Sequence, residues 1–202
     1  ADQGYDPDIA VVDDSSAVQP GAALARWAHT STGCILGADQ AGKRDRAAEH
    51  YRQGVALPLD YVFPFRNEDL AVLRAGLRYL PDHWKLHALL GTALVAKQQT
   101  TAGREHLAAA AKAAQADATV HRNLGEVLRQ DSLSLTQAAE AFRRAVGLDP
   151  HDCGHYVALD NIYSMLNQPA RRAGLFAGAP PDVRGNHQVL LREATYLVDG
   201  GL

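Results

Sequence analysis

Nine histidines are the side chains of this sequence best suited to chemistry, because imidazole binds zinc and changes its charge near neutral pH. His83 and His87 are four residues apart, and His151 and His155 repeat that spacing on either side of Cys153. Zinc sites use such spacings, but they need three or four converging ligands. We therefore expect structural histidines and no bound metal. The candidate exception is the cluster His151, Asp152, Cys153 and His155.

Motifs for other enzyme chemistry are missing from the sequence, which has no Gly-rich phosphate loop, nucleophile elbow or metalloprotease motif. Adjacent acidic residues such as Glu68 and Asp69 indicate solvated helix ends rather than a general acid/base pair. The basic doublets Arg143-Arg144 and Arg171-Arg172 are expected on exposed faces, and they are too short for a phosphate-binding groove. We expect a protein without catalytic activity and without a cofactor.

The composition favours an all-α protein. Hydrophobic residues make up 47% of the 202 residues, whereas aromatic residues make up only 6%. Alternating runs of β-branched residues, which strands require, are nearly absent. Five aspartates precede the first basic residue, Arg26, and the chain after Asp14 has a net charge of +2. Because the net charge of this part of the chain is close to zero, we expect it to bind neither nucleic acid nor an anionic membrane.

The cysteines and the hydropathy pattern indicate a cytoplasmic protein. Cys34 and Cys153 are far apart and belong to no metal-binding pair, which fits buried thiols in a reducing compartment. No apolar run approaches the ~18 residues that a membrane span needs.

A repeat of about 34 residues organises the chain. Gly91 and Gly125 are 34 residues apart, and each is followed by a second apolar helix pattern, with Leu107 and Ala110 in one copy and Phe142 in the next. This period predicts stacked helix hairpins, each with a first helix A and a second helix B. His87 and His121 have the same 34-residue spacing, which favours a packing role for both.

Aspartates mark the starts of three A helices. Asp82, Asp117 and Asp152 follow one another at intervals of 35 residues, just before apolar-periodic runs. A carboxylate there accepts hydrogen bonds from free backbone N–H groups, worth about 1 kcal/mol each. In the third copy Asp160 replaces the glycine, so we expect either a partner for its carboxylate or a wider helix crossing.

We divide the chain into an acidic linker or upstream-domain tail at residues 1–20 and a helical repeat domain at 21–202. The connector from Arg129 to Gln137 is one residue longer than its counterpart, which predicts a wider turn. Aromatic residues from Tyr61 to Phe65 predict a buried strap, and residues 182–198 predict an A helix with Val189, Leu190, Ala194 and Leu197 on its apolar face. The approximate repeats are 28–60, 61–83 (partial), 84–117, 118–152, 153–181 and 182–202 (incomplete).

Residues 39–58 and 84–167 resemble the tetratricopeptide repeat (TPR) family, with small and aromatic residues on its signature positions. The resemblance implies a right-handed superhelical array of antiparallel helix hairpins, a TPR-like α-solenoid. The matching residues are Gly91, Leu107, Ala110, Gly125, Ala138, Phe142, Ala145 and Pro150.

Three segments also resemble the helical C-terminal half of large bacterial proteins: 63–66, 81–85 and 120–125. In those proteins a β-rich domain of unknown function precedes the repeats. The resemblance implies that residues 1–20 are the C-terminal end of that domain. It also implies the alternative function, in which this chain is the helical accessory half of a carbohydrate-related enzyme, with the strap contributing to a sugar site.

TPR proteins bind peptides or protein segments along the concave surface of their A helices. The resemblance therefore implies a non-enzymatic scaffold whose partner is a peptide, a protein or the upstream domain of the same protein. The family's pattern for clamping a C-terminal carboxylate is not reproduced as a set. Spacing from Gly91 and Gly125 gives the partner-binding positions Lys85, Thr92, Arg122, Glu126, Arg129, Gln130, Asn161 and Ser164.

Overall fold

The computed structural model describes residues 44–56, 67–113 and 116–198, except for the side chains of Arg44, Arg46 and Glu68. Within these ranges the regular structure is entirely helical. The chain divides into two compact units, Ala1–Ala93 and Leu94–Leu202. The acidic segment at 1–20, the first helix expected after Gly21 and the strap from Tyr61 to Phe65 lie outside the described residues.

Three helices are described in the first unit: α1 (Arg44–Ala56), α2 (Asn67–Tyr79) and α3 (Trp84–Ala96), with the boundary between the units falling inside α3. Tyr51 of α1 is fully buried, and its hydroxyl donates a 3.0 Å hydrogen bond to the carbonyl oxygen of Val72 on α2. A Cβ on Gly76 would lie 2.8 Å from the Tyr51 ring. The absence of a side chain at Gly76 therefore lets α2 approach α1 closely.

The second unit contains six helices of ten or more residues and one short helix in its described part. The hairpins are α5/α6 and α7/α8, and they are flanked by α4 and by the C-terminal pair α9 and α10. The bounds are α4 (Thr100–Ala111), α5 (Ala118–Leu128), α6 (Leu135–Leu148), α7 (Cys153–Met165), α8 (Pro169–Gly178), α9 (Pro181–Arg184) and α10 (His187–Val198).

Two turns after A helices repeat the same backbone geometry. Gln98 and Asn167 both have a left-handed backbone, with φ of 62° and 53°. The next residue in each turn, Gln99 or Gln168, donates its N–H to the carbonyl of the residue five positions earlier, at 2.9 Å. This is the hydrogen-bond pattern of a Schellman helix end.

The connector between α5 and α6 is longer, as the sequence predicts. It runs from residue 129 to 134 and ends in a 3₁₀ turn, Ser132–Ser134. The Asp131 carboxylate accepts hydrogen bonds from the Leu133 N–H at 3.0 Å and the Ser134 hydroxyl at 2.7 Å. The Ser134 bond, followed by the Leu133 bond, lowers the pKa of Asp131.

The core of the second unit contains the residues expected from the repeat. Ala138, Phe142 and Ala145 of α6 are fully buried, and Leu159 and Tyr163 of α7 pack in the same core. A Cβ on Gly125 would lie 2.8–2.9 Å from three atoms of the Phe142 ring. Gly125 is therefore a close-contact position between α5 and α6.

Two of the three aspartates expected to cap helices, Asp117 and Asp152, lie in the second unit, and both form their caps. The Asp117 carboxylate accepts a hydrogen bond from the Val120 N–H at 2.9 Å, and that of Asp152 accepts one from the Gly154 N–H at 2.8 Å. These carboxylates satisfy backbone donors that the first helical turn leaves unpaired.

The third copy replaces a pair of small residues with a buried ion pair. Asp160 follows Gly125 by 35 residues, and Arg172 follows Ala138 by 34. Asp160 is 0% exposed and accepts two hydrogen bonds from the Arg172 guanidinium, at 2.7 and 3.2 Å. The Arg172 guanidinium also lies 5.1 Å from the Tyr196 ring centroid. Asp160 thus has the partner that its burial requires, and the prediction that Arg172 is exposed is wrong.

The expectation of a single helix from Asp182 to Val198 is also wrong. The chain forms α9, leaves the helix at Gly185 and starts α10 at His187. The N–H of Gln188 in the first turn of α10 donates a 2.9 Å hydrogen bond to the Asn186 side chain. Val189 and Tyr196 are the buried residues of α10, whereas the expected core residues Leu190, Ala194 and Leu197 are exposed. The buried face of α10 therefore differs from the expected one, and its Tyr196 packs near Phe176 of α8, with a ring-centroid distance of 6.4 Å.

Candidate functional site

Six of the eight predicted binding residues lie on two A helices or directly after one of them. We call this set the A-helix surface and define it by Arg122 and Glu126 on α5, Arg129 and Gln130 directly after α5, and Asn161 and Ser164 on α7. Arg129, Gln130 and Ser164 are exposed, and the other three are half-buried. All six belong to the second unit.

Short-range polar contacts hold several of these side chains. Arg129 forms an ion pair with Glu126 one helical turn earlier, and the guanidinium of Arg192 on α10 donates a hydrogen bond to the Asn161 side chain. Arg122 donates a 3.4 Å hydrogen bond to the side chain of Asn123. Arg192 could not be identified from the sequence, because its contact depends on α10 packing against α7.

The other two predicted binding residues, Lys85 and Thr92, lie on α3 in the first unit. The Lys85 ammonium is 5.9 Å from the ring centroid of the neighbouring Trp84. Both side chains are half-buried. Neither residue belongs to the A-helix surface.

The histidines of the two predicted pairs make different contacts. The Nε2 of His87 lies 2.7 Å from the Pro81 carbonyl oxygen. Burial, followed by the charge of Lys85, lowers the pKa of His83. The Nδ1 of His151 lies 2.8 Å from the Asp182 carboxylate, and both side chains are exposed. His151 therefore contacts α9 and does not converge with His155.

His155 is the buried member of the predicted cluster. Only 2% of its side chain is exposed, and its Nε2 lies 3.6 Å from Oδ2 of Asp152. Burial lowers the pKa of His155; Asp152 and Asp149 oppose this shift and Arg122 adds to it. Donor atoms of Asp149, Asp152 and His155 lie within 4.8 Å of one another. Cys153 is a half-buried free thiol and is not a member of this group.

Two grooves open between successive B helices of the second unit. The first has a volume of about 410 Å³ and lies between α4 and α6, with Leu124 and Leu128 of α5 contributing to its lining. Arg104, Lys112 and Arg144 also line this groove. The second, of about 480 Å³, lies between α6 and α8 and includes Arg143, Tyr163 and Arg171.

Leu124 and Leu128 lie about 120–160° around α5 from Arg122 and Glu126, at about 100° per residue. The groove between α4 and α6 therefore opens on the other side of α5 from Arg122 and Glu126. Neither groove could be predicted from the sequence, because a groove requires two B helices to lie side by side. Glu140 pairs with Arg143 at 2.7 Å and Arg144 at 3.5 Å, which offsets part of the basic charge beside the grooves.

Comparison with known proteins supports the fold class. The structure of MamA has a TM-score of 0.53 to this chain at 15% identity, covering 90% of this chain and 99% of MamA. The structure of YrrB, described as a TPR protein with an unusual peptide-binding site, has a TM-score of 0.52 at 17% identity, covering 83% and 92%. The chain therefore has a TPR-like fold, an α-solenoid of helix hairpins.

The sequence comparisons add one partial match. The family model for the insert domain of RNA 3'-terminal phosphate cyclase matches residues 3–59, less than half of the chain, so it does not assign a family. No curated protein matches the chain. Neither the fold nor these matches support the carbohydrate-related alternative. No helix in the described ranges is long and apolar enough to cross a membrane.

Proposed function

We propose that this chain is a non-enzymatic interaction module that binds an extended segment of a partner protein, or of its own upstream domain, along the A-helix surface. The observation that carries the proposal is the contrast between buried and exposed side chains in the two A helices and directly after α5. Gly125, Leu128 and Leu159 are buried, whereas Ser164 on α7 and Arg129 and Gln130 after α5 are exposed. An ordered surface with exposed polar side chains can bind a peptide without first becoming ordered.

The chemistry of the surface suits a peptide with backbone polar groups and an acidic side chain. Gln130 and Ser164 offer hydrogen-bond donors and acceptors, and Arg122 offers a guanidinium for a carboxylate. Met165 is 58% exposed beside Ser164 and offers a flexible apolar contact. YrrB, which shares the fold, is described as having a peptide-binding site.

Selection of a displayed random-peptide library against the full chain tests the proposal. Two variants then locate the binding site of the selected peptides. Arg122→Ala removes the guanidinium, and Ser164→Arg places a bulky side chain on an exposed position of α7. We expect each variant to weaken binding by about tenfold or more, as loss of a charge-assisted contact or a steric block would do.

Arg144→Ala is the matched control, because Arg144 is exposed and lines the groove between α4 and α6 instead. Peptide affinity should stay within about twofold of the wild-type value in this variant. If the peptides bind both A-helix-surface variants as tightly as wild type and lose affinity in Arg144→Ala, the groove is the binding site and the proposed surface is wrong. If the library yields no specific peptide, the peptide-binding function is wrong.

A further inference from the structure

The end of α6 and the start of α7 bring together three side chains that can ligate a metal. Asp149 follows the last residue of α6, Asp152 caps α7, and His155 lies in the first turn of α7. One donor atom from each lies within 4.8 Å of the other two. We propose that Asp149, Asp152 and His155 bind one divalent transition-metal ion, with Zn²⁺ as the best match.

His155 provides the observation that separates this group from an ordinary acidic surface cluster. Its imidazole is buried, and Nδ1 has no hydrogen-bond partner among the described residues. Nε2 points to Asp152 but lies 3.6 Å from its Oδ2, beyond the range of a good N–H···O hydrogen bond. The fold therefore buries a polar ring without giving it a strong hydrogen bond.

The same 3.6 Å separation fits two ligands of one metal ion. Zinc bonds to histidine nitrogen and carboxylate oxygen are about 2.1 Å long, so adjacent ligands of a tetrahedral site are about 3.4 Å apart. The carboxylate of the exposed Asp149 lies within 4.8 Å of the other two donor atoms, and binding of the ion would require it to move closer to them. Three protein ligands leave a fourth tetrahedral position for water.

Asp152 is oriented for this role by the helix start. Its Oδ1 accepts the 2.8 Å hydrogen bond from the Gly154 N–H, while Oδ2 is the atom closest to His155. One oxygen thus fixes the carboxylate and the other remains for the ion, which is how outer hydrogen bonds orient metal ligands. A neutral imidazole and two carboxylates balance the charge of a divalent cation, and their mixed nitrogen and oxygen donors favour Zn²⁺ over Mg²⁺.

Titration of the chelator-treated full chain with ZnCl₂ by calorimetry tests the site. We expect one equivalent of Zn²⁺ per chain, and MgCl₂ should give no comparable binding. Asp149→Asn and His155→Gln should each lower the zinc affinity at least about tenfold, because a metal site loses about that much when a supporting residue is changed. Asp149 is exposed, so Asp149→Asn decides the outcome even if His155→Gln fails to fold.

His151→Ala is the matched control, because it removes an exposed histidine of the same segment whose ring contacts Asp182. Its zinc affinity should equal that of the wild type within about twofold. Co²⁺ provides an independent readout, since a tetrahedral site gives a visible absorption band that the Asp149→Asn variant should lose. Binding that survives Asp149→Asn and His155→Gln, or that disappears in His151→Ala, would mean an adventitious surface ion only. Wild-type protein that binds no Zn²⁺ would also overturn the proposal, whatever the outcome of the peptide experiment.

Discussion

Substitution of Gly125 by alanine should destabilise the second unit, although the same change usually stabilises a helix. Alanine is better than glycine inside a helix by about 1 kcal/mol. At Gly125, however, the new Cβ would lie 2.8–2.9 Å from three atoms of the Phe142 ring. Carbon atoms pack about 3.5–4.0 Å apart, so the ring has to move.

Phe142 has little room to move, because it is fully buried in the core with Leu159 and Tyr163. Overpacking of a core costs about 1–3 kcal/mol. After subtraction of the helix-propensity gain, we expect Gly125→Ala to lower the free energy of unfolding by about 0–2 kcal/mol. Because this range includes zero, the steric cost is measured against a reference glycine.

Gly174→Ala supplies that reference. Gly174 lies inside α8, is exposed, and a Cβ there would meet nothing within 4 Å. Gly174→Ala should therefore raise the free energy of unfolding by up to about 1 kcal/mol. The chemical change is the same at both positions, so the difference between the two variants, about 1–3 kcal/mol, measures the steric cost.

Urea denaturation followed by circular dichroism gives both free energies by linear extrapolation. A second measurement in a Phe142→Leu background isolates the contact, because the cost of Gly125→Ala should shrink by at least about 0.5 kcal/mol when the ring is removed. If Gly125→Ala stabilises the protein as much as Gly174→Ala does, α5 and α6 do not cross closely at Gly125, and the packing described for this hairpin is wrong.

Two further predictions concern charges in the second unit. Arg172→Ala should lower the free energy of unfolding by about 3–5 kcal/mol in urea denaturation, because it leaves the fully buried Asp160 without its partner. The double variant Asp160→Gly/Arg172→Ala, which restores small residues at both positions, should be more stable than Arg172→Ala; equal stabilities would refute the pairing argument. Burial, followed by the charge of Arg144, lowers the pKa of His121, against an opposing effect of Asp117. The unfolded chain, with a histidine pKa of about 6.5, therefore binds more protons as the pH falls, and stability decreases between about pH 7.5 and 5.5. His121→Gln should lose less stability over that interval, and parallel pH profiles for the two proteins would contradict the prediction.

Local sequence rules were sufficient to predict the helical repeat, because these rules depend only on residues a few positions apart. Small and aromatic residues at Ala138, Phe142 and Ala145 recur at helical intervals, and all three are fully buried. Asp117 and Asp152 cap the helices that follow them, since a cap requires only the next two or three residues. The break before α10 was missed because Gly185-Asn186 lies inside a stretch whose apolar spacing still resembles one helix.

Only the tertiary structure decided which side chains meet across helices. The sequence indicated that Asp160 needed a partner, but Arg172 was identified by the packing of α8 against α7. Likewise, the sequence grouped His155 with His151, Asp152 and Cys153, whereas the turn between α6 and α7 keeps Asp152 in the group and brings Asp149 there in place of His151 and Cys153. Helical periodicity and capping are properties of neighbouring residues and can be read from their order. Ion pairs, grooves and metal ligands depend on the relative positions of whole helices, which the order of residues does not specify without packing.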